Sequence, residues 1–128
     1  MAKTVIIVDD SKAVVAMAEL ALGELIQSGV IEFKSYLNPL KLLDGLQSGS
    51  ENFDLLISDI NMPEMNGLDL AKAIKTSDKH KTKPIIILTT ESSNEIKMAG
   101  KEIGVTGWMV KPFSDEKLVK SIKMVLGV

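Results

Sequence analysis

The chain has 128 residues, 45% hydrophobic and 25% charged, with a formal net charge of −2. That is one domain's length, with enough apolar content to bury a core without staples. With no cysteine, disulfides, thiol catalysis and cysteine-ligated zinc are excluded, and the slightly acidic balance offers no basic field for nucleic acid.

The first apolar run, Val5-Ile6-Ile7-Val8, meets Asp9 and Asp10 at once. It is too short for a signal peptide or a membrane span, so a cytoplasmic protein without membrane insertion is expected. The run is rich in β-branched residues and does not alternate with polar ones, which marks a strand buried on both faces. Residues 12–27 then carry Val14, Met17, Ala18, Leu22, Leu25 and Ile26 at helical spacing, with Gly29 as a stop. Ile31 to Tyr36 alternates and fits an edge strand. Pro39 suits the first turn of a short helix near 40–47. Leu55-Leu56-Ile57 reads as a third strand, and Leu68, Ala71 and Ile74 place a helix over 67–76. The polar connection 77–83 holds the only histidine, His80, which should be exposed. Lys72, Lys75, Lys79, Lys81 and Lys83 read as a solvated face at the pole opposite the acids.

Ile85-Ile86-Ile87-Leu88 is the fourth buried run. A helix over 93–103 follows, with Ile96, Ala99 and Ile103 on one face. Gly100 weakens that helix by about 1 kcal/mol relative to alanine, unless it is there to permit close packing. Trp108-Met109-Val110 forms the last strand. Residues 115–126 form the last helix, with Ser114 as N-cap and Asp115 and Glu116 matching the helix dipole. Met17, Met109 and Met124 fit core positions, and Met62 and Met65 flank Pro63.

Five repeats of strand then helix predict an open parallel sheet with helices on both faces and right-handed crossovers, an α/β fold with five helices. Residues 1–128 read as one domain. The last helix runs to the C-terminus, so no output domain is expected after it. In such sheets the active site lies beyond the carboxyl ends of the strands. Asp9 and Asp10 follow the first strand, Asp59 the third, Thr89 and Thr90 the fourth, and Lys111 the fifth. Three acids, a hydroxyl and an amine should converge on one rim.

Crowded carboxylates repel, and a divalent cation removes the conflict; oxygen ligands with room for water suit Mg²⁺. A phosphoryl group passing to a carboxylate needs positioning and neutralisation of its oxygens. Mg²⁺, the Lys111 ammonium and the Thr89 hydroxyl are suitable parts. Each piece alone has a plainer reading: Asp-Asp-Ser as a helix cap, Thr-Thr as β-propensity, Asp59 as a turn residue. The joint placement at four strand ends carries the specificity.

Val8-Asp9-Asp10-Ser11, Asp59-Ile60-Asn61-Met62-Pro63-Glu64-Met65-Asn66-Gly67, Thr89-Thr90-Glu91 and Gly107-Trp108-Met109-Val110-Lys111-Pro112-Phe113 together resemble the receiver domains of two-component response regulators. The resemblance covers essentially the whole chain and is nearest in kind to stand-alone chemotaxis regulators. It implies a flavodoxin-like doubly wound sheet of order 2-1-3-4-5. It further implies Asp59 as phosphoacceptor, with Mg²⁺ on Asp10, Asp59 and the Asn61 backbone carbonyl, and Asp9 acting through water. Thr89 and Lys111 would contact the phosphoryl oxygens, Asn61 and Glu91 would tune hydrolysis, and the bond before Pro112 would be cis. Thr89 and Trp108 would form a switch acting on the weak helix 93–103, although tyrosine or phenylalanine is more usual than tryptophan there.

The implied function is signal transfer without separate substrate turnover. A histidine kinase donates, and the fourth helix, fifth strand and fifth helix contact a downstream protein, a flagellar switch if the pathway is chemotaxis. A monomer is expected. A relay intermediate or a receiver cut from a larger regulator would read alike. An aspartyl-phosphate phosphatase would need Asp-x-Asp after the first strand, and an FMN-binding flavodoxin-like protein would meet repulsion from Asp9 and Asp10 at its phosphate loop.

Overall fold

The computed structural model describes residues 2–90 and 94–128. Five strands alternate with six helices: β1 Lys3–Val8, α1 Lys12–Ala21, α2 Gly23–Gln27, β2 Ile31–Tyr36, α3 Pro39–Ser48, β3 Leu55–Asp59, α4 Gly67–Lys75, β4 Ile85–Thr89, α5 Asn94–Ile103, β5 Gly107–Val110 and α6 Asp115–Leu126. All strand pairs are parallel, in the order β2-β1-β3-β4-β5.

The apolar runs explain the layering. Successive strand residues point to opposite faces, so a run apolar at every position needs cover on both sides. Val5, Ile7, Leu55, Ile57, Ile86, Leu88 and Met109 pack with Ala18 of α1, Leu22 just beyond it, and Leu118 and Ile122 of α6. Ile6, Val8, Leu56, Ile85 and Ile87 pack with Leu42, Leu46, Leu70 and Ile74 from α3 and α4. Each fully buried Ile or Leu contributes roughly 1.5–3 kcal/mol, so sliding one strand by a residue exchanges its two sets of contacts at a cost the turns cannot offset.

Helix starts follow their caps. The side chains of Ser11, Asn38, Asn66 and Ser114 accept backbone N–H bonds from Val14, Leu40, Asp69 and Lys117, and Pro39 stands in the first turn of α3.

Four expectations need correction. The helix over 12–27 is two helices, giving six in all. At Leu22 the backbone leaves helical geometry (φ −93, ψ 6), and a new helix starts at Gly23. Leu22 stays buried through the break, so apolar spacing continues across it. Met17 and Met124 are exposed at 48% and 73%, and only Met109 of the three methionines is core. His80 is 2% exposed, its ring stacked on Phe53 at 5.8 Å between centroids. The connection around it is also less solvated than its lysines suggest. Lys75 Nζ donates to the Lys81 and Lys83 carbonyls at 3.1 and 2.8 Å, and Lys83 reaches the Asn52 side chain and the Phe53 ring.

Among the described residues, no helix is long and apolar enough to cross a membrane.

Candidate functional site

β1 and β3 are neighbours, and the strand order turns at that pair, so their carboxyl ends share one rim. Asp9 and Asp10 follow β1, and Asp59 ends β3. One carboxylate oxygen from each of Asp9, Asp10 and Asp59 lies within 4.8 Å of the others. Asp9 and Asp59 are buried, and Asp10 is exposed. Lys111, one residue past β5, brings its ammonium to 2.8 Å from Asp9 Oδ2 and 3.2 Å from Asp59 Oδ1.

Local structure holds each group in place. Asp9 donates its N–H to the Tyr36 carbonyl at 3.1 Å, and its Oδ1 accepts from the Ser11 N–H at 2.9 Å. Ser11 caps α1, so one turn both starts a helix and orients a carboxylate. Tyr36 is itself anchored: its hydroxyl donates to Glu51 Oε2 at 2.5 Å, and Lys34 pairs with Glu51 at 3.0 Å. The bond to Glu51, with burial, pushes the Tyr36 hydroxyl up to about 12, so it remains a donor. Burial works against the Glu51 charge. Tyr36, Lys34 and the Asn52 N–H outweigh it and hold Glu51 below its ordinary value.

The loop after Asp59 is tightly closed. Gly67 N–H donates to the Ile60 carbonyl at 2.9 Å, and Met65 N–H to the Pro63 carbonyl at 2.8 Å. Glu64 sits at φ 73, a conformation uncommon for a residue with a side chain and frequent beside functional sites. A Cβ on Gly67 would stand 2.2 Å from the Asp59 carbonyl oxygen. The glycine at 67 thus lets α4 start directly against the backbone that carries Asp59. Gly67 stands in the sequence motif without a role of its own, and Tyr36 and Glu51 carry none there. Asn66-Gly67 after Met-Pro was the available signal for Gly67, whereas nothing local pairs residues 36 and 51.

The electrostatics are those of an acid cluster short of positive charge. Burial, then the Asp9 carboxylate, raises Asp59 above its ordinary value, while Lys111 pulls it back in part. Burial would lower Lys111, but its contacts with Asp9 and Asp59 raise it on balance, so it stays an ammonium. Asp9 Oδ2 is buried, and among the described residues its close positive neighbour is that ammonium. Three converging carboxylates, two of them buried and sharing one ammonium, make an all-oxygen set that fits a hard divalent cation.

Thr89 ends β4 on the same rim and is buried. Its carbonyl accepts the Lys111 N–H at 2.8 Å, tying the ends of β4 and β5 together. Asn61 is exposed two residues past Asp59. The Lys111–Pro112 peptide is cis. Trp108 is half-buried, with its ring against Gly100 of α5. Glu91 lies outside the described residues.

The family model for the response regulator receiver domain matches residues 5–123. Chemotaxis protein CheY1 of Helicobacter pylori is 34% identical over 122 residues, 95% of each chain. A CheY homolog of Campylobacter jejuni is 34% identical over 95% of this chain and 91% of its own. The solved structure of the Vibrio cholerae chemotaxis protein CheY4 superposes with a TM-score of 0.86 at 37% identity, over 98% of this chain and all of that one. With the rim described above, these matches make the chain a member of the response regulator receiver domain family.

Proposed function

We propose that the protein is a single-domain response regulator that accepts a phosphoryl group on Asp59 from a phosphohistidine of a histidine kinase. The observation that carries this reading is the joint placement of Asp9, Asp10, Asp59 and Lys111, with three carboxylate oxygens within 4.8 Å and the ammonium on two of the acids.

Asp59 is the acceptor because it ends the central strand β3 and touches the ammonium that must follow the charge. An Asp59 oxygen forms a bond to phosphorus as the donor's N–P bond breaks, and the departing imidazole takes up a proton. The product is a mixed anhydride, which water later hydrolyses to the carboxylate and inorganic phosphate. Lys111 shifts from the carboxylates to a phosphoryl oxygen, and the Thr89 hydroxyl donates to another. Asp10, Asp59 and the Asn61 carbonyl would hold Mg²⁺, and Asp9 would act on it through water. When bound, Mg²⁺ neutralises charge on the phosphoryl oxygens. Asn61 and Glu91 tune access of the hydrolytic water.

Output is by contact of the α5–β5–α6 face with a downstream protein. The chemotaxis relatives span nearly the full length of this chain, which supports a chemotaxis kinase as donor and a flagellar switch as target.

Acetyl phosphate with Mg²⁺, followed by intact mass, tests the acceptor. Wild type should gain one phosphoryl group only with Mg²⁺, and Asp59→Asn should gain none. The variant should also melt higher. Folding raises the Asp59 pKa, so its carboxylate weakens the fold above the ordinary value of 3.8, and the amide removes that cost. Uptake by Asp59→Asn at the wild-type rate would move the acceptor elsewhere.

A further inference from the structure

β2 is the edge strand of the sheet and pairs with β1. Its last residue, Tyr36, nonetheless reaches the acid rim, because its carbonyl accepts the Asp9 N–H at 3.1 Å. The end of an edge strand is where local opening costs least, so a rim residue bonded to it needs that end held by something else.

The holding group is a buried carboxylate. The Tyr36 hydroxyl donates to Glu51 Oε2 at 2.5 Å. Lys34, two residues earlier and so on the same face of β2, sets its ammonium 3.0 Å from Glu51 Oε1. The same Oε1 accepts the Asn52 N–H at 3.1 Å. Glu51 is only 9% exposed, and both its oxygens are satisfied, as a buried charge requires. Its seat is prepared as well. The Glu51 N–H donates to the Gly45 carbonyl of α3 at 3.0 Å, and a Cβ on Gly45 would stand 3.0 Å from Glu51 Cβ. The α3 backbone thus closes against the anchor, and β2, α3 and the approach to β3 meet at one charge.

We infer that Tyr36 and Glu51 are positioning residues for the acid rim. Contact runs from Glu51 to the Tyr36 hydroxyl, through Tyr36 to its carbonyl, and on to the Asp9 backbone. Asp9 Oδ1 is fixed by the Ser11 N–H and Oδ2 by Lys111, so movement of the Asp9 backbone is passed to a carboxylate within 4.8 Å of those of Asp10 and Asp59. Neither Tyr36 nor Glu51 touches the reacting atoms. Their effect on a bound cation rests on the receiver reading, whereas the clamp on Asp9 does not.

Amide exchange in the metal-free protein tests the clamp. Tyr36→Phe keeps the ring and removes the hydroxyl. Exchange at Asp9, relative to Ile57 and Ile87 in the central strands, should quicken about tenfold or more, as loss of a hydrogen bond to a charged group implies. Ile122→Val is the control: it truncates the core on the other face of the sheet and should leave that ratio unchanged. Titration with Mg²⁺ alone, followed by calorimetry, is the second readout. Affinity should fall about tenfold in Tyr36→Phe, the lower end of what loss of a group behind a metal ligand costs, and stay at the wild-type value in Ile122→Val. Glu51→Gln keeps an oxygen that can accept the Tyr36 hydroxyl, so it should recover most of the affinity lost in Glu51→Ala. Should Glu51→Ala not fold, Tyr36→Phe against Ile122→Val decides alone.

Unchanged Asp9 exchange in Tyr36→Phe, or a change that Ile122→Val reproduces, overturns the inference. Faster Asp9 exchange with wild-type Mg²⁺ affinity also overturns it, because the pair would then hold the strand end without serving the rim. A wild-type protein that binds no Mg²⁺ counts against the receiver reading, and exchange at Asp9 still decides the clamp.

Discussion

Gly67→Ala should damage both the fold and the acceptor, although alanine is the better helix former. The new Cβ would lie 2.2 Å from the Asp59 carbonyl oxygen and 3.0 Å from both the Asp59 carbonyl carbon and Ile60 Cα. All three are backbone atoms, so no side-chain rotation relieves the contact. Relief requires α4 to back away from β3, which stretches the 2.9 Å bond from Gly67 N–H to the Ile60 carbonyl. Overpacking of this kind costs about 1–3 kcal/mol, and the weakened hydrogen bond about 0.5–1.5 kcal/mol. A net loss of about 2–4 kcal/mol lowers the melting temperature of a domain this size by roughly 6–16 °C. Gly23→Ala is the control. Nothing lies within 4 Å of its added Cβ, and a gain of about 0.4–1 kcal/mol is expected. Thermal unfolding and the rate of acetyl-phosphate labelling, read side by side, test the reasoning. Because the contact is with the residue that carries the acceptor carboxylate, labelling of Gly67→Ala should slow even where the protein is fully folded. An unchanged melting temperature with wild-type labelling would refute the argument.

Two further outcomes follow from the charges. His80 is buried against Phe53, its Nε2 has no hydrogen-bond partner among the described residues, and burial, then Lys83 and Lys79, lowers its pKa from the ordinary 6.5. Its neutral form is therefore the stable one: the contribution is intact above 6.5 and is lost as pH falls below it. His80→Phe keeps the stack and removes the titration, so the melting-temperature gap between variant and wild type should widen from pH 7.5 to pH 5.5; a constant gap would show that His80 does not charge at a cost. Lys111→Met removes the cation that holds Asp59 down, so the acid midpoint of Mg²⁺ binding should move to higher pH. A midpoint that stays put would place the ammonium off Asp59.

Much of this architecture was legible because strand burial is written in composition. The runs at 5–8, 55–57 and 85–88 lack alternation, and only a strand covered on both faces tolerates that. The rim was legible for a related reason: a charge next to such a run can only stand at its end, so Asp9, Asp59 and Lys111 had one place to go. The misreadings share the opposite cause. His80 sits among lysines in a polar stretch, and its burial depends on Phe53, 27 positions away in sequence, whose ring it stacks against. Leu22 keeps helical spacing while its backbone does not, because the side chain can stay buried through a one-residue break. Met17 and Met124 fit the periodicity of their helices yet fall on the outward flank of the apolar stripe. Gly67 and Gly100 were visible as glycines, but a glycine's reason is the atom a Cβ would strike, and that atom belongs to another element.

The rim's charge also orders the chemistry. Three carboxylates converge and one ammonium answers them, leaving two negative charges in a site where Asp9 and Asp59 are buried. A phosphoryl donor brings further negative charge, so its approach to the bare rim is opposed by the same repulsion that already raises Asp59. Asp9, Asp10 and Asp59 would hold a divalent cation that makes up the two missing charges, and Lys111 would then be freed from divided duty between Asp9 and Asp59. The ammonium can then follow the incoming oxygens without leaving a buried acid unpaired. Cation first and donor second is thus the order that never exposes an uncompensated buried charge. On the proposed reading, withholding divalent cations should therefore leave Asp59 unlabelled by phosphoryl donors.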